Sequence, residues 1–322
     1  MSQSRRELLA TLAAGGALLA GCVDGSSDDS ATGAEDNPAE DGDRDEMSDM
    51  PDEGYPGTCP AYGTARVICY EAVTGSDDDE PVGAENVPAI LEPSTRSLAA
   101  GEIEFVLSNH SDAALSTNFY DWRLDKRVDG EWYHVAPFEI NEPLMSVPPG
   151  ESHTWSVAVE NSAVEAGEMV PRTSGTEDLT LAGVGGGWYA FRARGWFEDE
   201  DYENDFAFAG MFDYEADPLE LTTSNSIGET EFEGETLVGK PAEGQTGGTY
   251  ALERAEGNDA ERVITEQLLR SPHRRDAVAL AEEYDADRVR LDGYTTDSYV
   301  ADPLGAFRYQ GQQYELTKQG ED

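Results

Sequence analysis

Lysine is nearly missing from this chain: Lys126, Lys240 and Lys318 are the only three in 322 residues. With arginine included, 21 basic side chains face 67 acidic ones, a formal net charge of −46. Such a field repels phosphates, which excludes nucleic acid as a partner. It also repels itself at low salt, and only high ionic strength screens it over molecular distances. Histidine is scarce too, at His110, His134, His153 and His273, and no two stand at metal or triad spacing. Neither Gly-x-Ser-x-Gly nor His-Glu-x-x-His occurs, so the parts of nucleophile-and-base catalysis are lacking, and no cofactor is expected. Beyond the first 22 residues no apolar stretch is long enough to cross a bilayer.

What is present begins at the N-terminus. Ser4-Arg5-Arg6-Glu7-Leu8-Leu9 is a twin-arginine pair followed by apolar residues, and Thr11 to Ala20 is an uncharged run of signal-peptide length. The run ends in Leu19-Ala20-Gly21-Cys22, which resembles the lipobox of bacterial and archaeal lipoproteins. The resemblance implies cleavage between Gly21 and Cys22 and a lipid on the Cys22 thiol. At ~0.8 kcal/mol per buried CH₂, two long chains anchor a protein durably. Removing residues 1–21 takes away Arg5, Arg6 and Glu7, a net +1, and leaves −47.

Residues 22–54 are rich in Asp, Glu, Ser, Gly and Ala, with Arg44 the only base. They are too poor in apolar groups to offset the entropy of folding and read as an acidic tether. Over 55–86 lie the remaining cysteines, Cys59 and Cys69, with nine residues between them. Outside an oxidising membrane such a pair is expected to form a disulfide, stabilising by roughly 3 kcal/mol in the chain-entropy model. Ligation of a metal by the two thiols is the alternative, and needs two further ligands.

Five Trp, fourteen Tyr and ten Phe argue against disorder in the middle of the chain. From 87 to 216, short apolar-patterned runs alternate with turn signals, the pattern of an antiparallel sandwich of about seven strands. Ile103, Phe105 and Leu107 alternate with Glu102 and Glu104; Phe119 to Val128 reads as one strand; Asp129-Gly130 reads as a hairpin turn. Pro148-Pro149-Gly150-Glu151 precedes a strand through Trp155, and Gly187 to Ala193 and Phe206 to Tyr214 supply two more. Gly101 to Ser111, Arg127 to Val135 with its Asp-Gly-Glu-Trp, Pro149-Gly-Glu-Ser-His-Thr-Trp155 and Gly187-Trp-Tyr resemble a bacterial immunoglobulin-like domain over about two fifths of the chain. The whole layout is similar to surface lipoproteins of halophilic archaea, a group whose resemblance brings no catalytic residues with it. Residues 217–248 read as a linker, and 249–322 as a small α+β unit. In that unit Ala260 to Leu269 and Arg275 to Tyr284 are predicted helices parted at Ser271-Pro272.

Three weaker candidates remain. Glu198, Asp199, Asp201 and Asp205 fall in the densest acidic run, which offers oxygens to a hard cation but lacks the turn glycine of a calcium loop, and a solvated hairpin tip is the plainer reading. Asn109-His110-Ser111 is an N-glycosylation sequon that also serves a turn. Gly183 to Trp188 only superficially resembles a phosphate loop, because it lacks the lysine. The expectation is a non-catalytic lipoprotein on the extracellular face of the cell membrane, its immunoglobulin-like sandwich touching an envelope protein or glycan. The alternatives are a solute-binding lipoprotein of a transporter and a metal-dependent surface enzyme.

Overall fold

The computed structural model describes residues 59–75, 83, 86–200, 202–242, 247–294 and 304–320. The export signal at Arg5 and Arg6, the cleavage site at Gly21 and Cys22, and the acidic tether lie outside the described residues.

In chain order come β1 (Arg66–Cys69), α1 (Tyr70–Thr74), β2 (Ala89–Pro93), β3 (Ser97–Leu98), β4 (Glu102–Asn109), β5 (Leu115–Thr117) and β6 (Arg123–Val128). Next are β7 (Glu131–Ala136), β8 (Met145–Val147), β9 (Ser152–Val159), α2 (Ser162–Glu165), β10 (Asp178–Leu181), β11 (Gly187–Phe197) and β12 (Phe206–Tyr214). The C-terminal part holds β13 (Ile227–Glu233), β14 (Thr236–Pro241), β15 (Gly248–Ala255), α3 (Thr265–Leu269), α4 (Pro272–Glu283), β16 (Arg288–Tyr294), β17 (Gly305–Tyr309) and β18 (Gln312–Gln319). The protein is mainly β.

Two sheets make the sandwich. The larger runs β1-β12-β11-β5-β8, with β3 beside β12 and the β6–β7 hairpin beside β11. The smaller runs β10-β9-β4-β2. The alternation in β4 decides which face is inside: Ile103, Phe105 and Leu107 are fully buried while Glu102 and Glu104 face solvent. Phe105 stacks on Phe191 of the opposite sheet with ring centroids 4.4 Å apart, and Trp155 meets the same ring at 5.6 Å. The two core indoles are satisfied as well as buried: Trp122 Nε1 donates to Gly175 O at 3.2 Å and Trp155 Nε1 to Phe119 O at 3.0 Å. At the β6–β7 turn Asp129 (φ 50°) and Gly130 (φ 83°) both take the positive φ that a tight two-residue hairpin requires.

Several expectations need correction. The sheets are mixed: β1 and β3 pair parallel with β12, and β10 pairs parallel with β9. A parallel return needs a long connection, and the stretch from Glu160 to Glu177, which contains α2, provides it. Among the described residues eleven strands rather than about seven lie between 87 and 216, because the short pieces β3, β5, β8 and β10 are too brief to show a pattern. The strand predicted from Phe119 begins at Arg123, after a turn around Asn118 to Asp121.

The predicted linker 217–248 is also revised. It contains the β13–β14 hairpin, one edge of a six-stranded sheet ordered β13-β14-β16-β15-β18-β17. An edge strand with a solvated face needs few apolar residues, and β13 is mostly exposed, so its composition imitates a linker. Helix α3 is five residues long instead of ten, since Val263 is drawn into backbone pairing with Arg308. Pro272 opens α4 where its missing N–H costs nothing, and α4 packs on β14, β15 and β16. The C-terminal sheet is not independent of the sandwich: the described residues fall in one compact unit, and Ile264 belongs to the sandwich core.

Candidate functional site

Strand β11 is buried on both faces along most of its length. Tyr189, Phe191 and Ala193 face the sandwich core, whereas Ala190 and Arg192 face the other way and are covered by the segment 59–75. Four buried ionisable groups, Glu71, Asp125, Arg192 and Asp205, lie on or beside this second covered face.

Two neighbourhoods lie there. In the first, Cys59 and Cys69 form a disulfide with Cα atoms 5.8 Å apart, packed on Ala190, Met211 and Trp132. Glu71, in the first turn of α1, is only 2% exposed. Its Oε1 accepts from the Met211 backbone N–H at 2.8 Å. Its Oε2 lies 3.3 Å from Cys69 Sγ and 3.8 Å from Cys59 Sγ. Disulfide sulfurs carry no proton, so neither donates to it. Burial pushes the Glu71 carboxyl above the usual carboxylate range, although the N–H groups of Met211 and Glu71 and the charge of Arg96 pull the other way.

The second is a knot of arginines around Tyr62. The guanidinium groups of Arg123 and Arg192 sit 4.8 Å from the Tyr62 ring centroid, and that of Arg194 sits 5.5 Å away. Each arginine has a carboxylate: Asp121 for Arg123 at 3.9 Å, Asp125 for Arg192 and Asp205 for Arg194. Arg192 Nη1 also donates to Ala61 O at 3.0 Å, and Tyr62 OH to Asp121 at 3.4 Å. His134 completes the group, with Nε2 donating to Pro137 O at 2.8 Å and Nδ1 3.3 Å from Asp125. Burial, then the Asp121 charge, raises the Tyr62 phenol, and burial raises Asp121 against the pull of the arginines. Three positive and three negative groups balance here. Chemically the knot is a clasp holding the disulfide segment to the sheet, with Arg192 buried and Arg123 and Arg194 reaching partly into solvent.

A further buried network joins sandwich to C-terminal sheet. Lys126 Nζ meets Glu266 Oε1 at 2.6 Å, Gly185 N–H donates to the same oxygen at 3.3 Å, and Arg270 donates to Gly183 O at 2.6 Å and Ala182 O at 2.5 Å. Burial draws the Arg270 guanidinium down to about 10 and pushes the Tyr189 phenol up. This explains the glycine run without a phosphate: a Cβ on Gly186 would stand 1.7 Å from Ala216 O, so the close approach of two backbones requires glycine.

The other predicted residues fall elsewhere. Glu198 and Asp199 stand exposed at the tip joining β11 to β12, and Asp201 lies outside the described residues. Asp205 turns inward to Arg194, and Glu200 pairs with Arg66 at 2.8 Å. The acidic run is therefore divided between solvent and ion pairs instead of converging. Asn109 serves the turn. It is 1% exposed, its Nδ2 donates to Ala113 O at 2.8 Å and Val147 O at 2.9 Å, and its Oδ1 accepts from Ser111 N and Oγ. A glycan on that nitrogen would replace one of the two donated hydrogens and push into a buried position, and the bonds seen here make the sequon a turn lock. His153 stacks on Phe119 at 3.6 Å, and His273 lies between Tyr250 and Tyr294. Sequence reasoning missed Glu71, Tyr62, Arg192 and Glu266. Only Glu71 carried a signal, as an acid set in the apolar run Val67-Ile68-Cys69-Tyr70-Glu71-Ala72-Val73. No protein-family model matches the chain, and no curated protein matches it.

Proposed function

We propose that this protein is an exported lipoprotein, fixed to the outer face of the membrane through a lipid on Cys22, that carries a non-catalytic binding module into concentrated salt. The observation behind this reading is the order of features at the N-terminus: Arg5-Arg6, an apolar run, Leu19-Ala20-Gly21-Cys22, then an acidic stretch ahead of the folded part. Two further features support it. Among the described residues no helix is long and apolar enough to cross a membrane. The buried ionisable groups beneath β11 and between sandwich and C-terminal sheet are engaged with one another, as suits a rigid module.

The partner is an envelope protein or glycan, met through the sandwich surface, which keeps the immunoglobulin-like resemblance as its functional content. Fractionation of cells expressing Cys22→Ser tests the anchor: the variant should leave the membrane fraction for the medium. Capture with the intact protein from membranes in molar salt tests the module. A reproducible envelope component is expected, and recovery of nothing under any salt condition contradicts the binding role.

A further inference from the structure

We propose that Cys59, Cys69 and Glu71 form a redox-gated site for a thiophilic divalent cation such as Zn²⁺, closed while the disulfide stands and opened by a dithiol reductant. The chemistry balances simply. The dithiol passes two electrons and two protons to the disulfide and becomes a disulfide itself; the two thiols formed then release their protons to water as they bind the cation.

The geometry carries the assignment. A tetrahedral zinc with bonds of about 2.3 Å to sulfur and about 2.0 Å to oxygen places its sulfur and oxygen ligands about 3.5 Å apart. The Glu71 Oε2 distances of 3.3 and 3.8 Å to the two sulfurs bracket that separation before any movement. One ligand atom from each residue already lies within 4.8 Å of the others. Only the sulfurs have to part, to about 3.8 Å by the same bond lengths.

The surroundings are those of a ligand set. The Met211 N–H holds Oε1 at 2.8 Å and so aims Oε2 at the sulfurs, as an outer-shell hydrogen bond orients a ligating carboxylate. Cys69 is 7% and Glu71 2% exposed, Cys59 is half-buried, and Ala190 and Met211 form an apolar wall beside them. A buried carboxylate with no proton donor on the sulfur side is costly by itself, and a dication beside it removes that cost. Three protein ligands leave the fourth position to water. Thiolates prefer Zn²⁺ or Cd²⁺ to Mg²⁺ or Ca²⁺, so the site discriminates even where hard cations abound.

The test uses the whole chain, reduced with dithiothreitol and desalted without oxygen. Cd²⁺ titration should produce an ultraviolet thiolate-to-cadmium band saturating at one equivalent, with circular dichroism unchanged, and the air-oxidised protein should give none. Excess Mg²⁺ should leave the titration unaltered. Glu71→Gln keeps the side-chain shape and the Met211 acceptor, and should weaken binding at least about tenfold. Cys59→Ser should abolish the stoichiometric band. A reduced chain that binds no Cd²⁺, that unfolds even with Zn²⁺ present, or that binds as tightly with Gln at position 71 overturns the proposal.

Discussion

Phe105 sits where the two sheets of the sandwich meet, stacked on Phe191 and edge-on to Phe212 at 5.5 Å. Its burial is complete, so Phe105→Ala removes a full ring and leaves a cavity; about 3–5 kcal/mol should be lost in denaturant unfolding measured in molar salt. His153 illustrates a different residue-scale effect. Burial lowers its affinity for a proton, partly opposed by Thr176 O, which accepts from Nε2 at 2.6 Å, and by the Glu177 charge. The unfolded chain therefore takes up a proton that the folded chain refuses as pH falls through the ordinary histidine range. Stability should drop on acidification from that range downward, and His153→Phe should flatten this part of the melting-temperature profile. These two residues differ in legibility. Phe105 announced itself through strict alternation, while the burial of His153 depends on Phe119 and Thr176 arriving from other parts of the chain.

The readable elements were those whose own side chains decide their geometry. β4 alternates, Asp129-Gly130 fixes its hairpin, and Pro272 marks the start of α4. The unread elements owe their form to neighbours: β13 is a solvated edge, β1 and β10 are four residues each, and Gly185 and Gly186 answer to the backbone of Leu219 and Ala216. The Cys59–Cys69 bridge was legible from the pair alone; the apolar run around Glu71 hinted at a buried acid, but its contact with the bridge was not legible, because no sequence distance shows that Met211 lies over Glu71. The junction between sandwich and C-terminal sheet is an element-scale feature with a clear consequence. Lys126→Met strands the Glu266 carboxylate in a buried position and should cost about 3–5 kcal/mol in denaturant unfolding. Adding Glu266→Gln removes the stranded charge while keeping an acceptor for the Gly185 N–H, so the double variant should recover most of that loss.

At the scale of the molecule, a net charge of −46 against three lysines sets the conditions under which all of this holds. Raising salt from about 0.1 M to about 1 M shortens the screening length from about 10 Å to about 3 Å, which removes most repulsion between exposed carboxylates. The melting temperature should rise steeply over that interval and more shallowly beyond it; a flat response in a potassium chloride series contradicts a surface built for brine. On the proposed reading, the lipid on Cys22 would be what holds so acidic a body at a membrane. That claim is the one on which the account turns. Mass spectrometry of the N-terminal peptide, cut from protein recovered from membranes, tests it directly: the account predicts a peptide beginning at Cys22 and heavier by its lipid, and an unmodified peptide beginning at Met1 or at any other residue would contradict it.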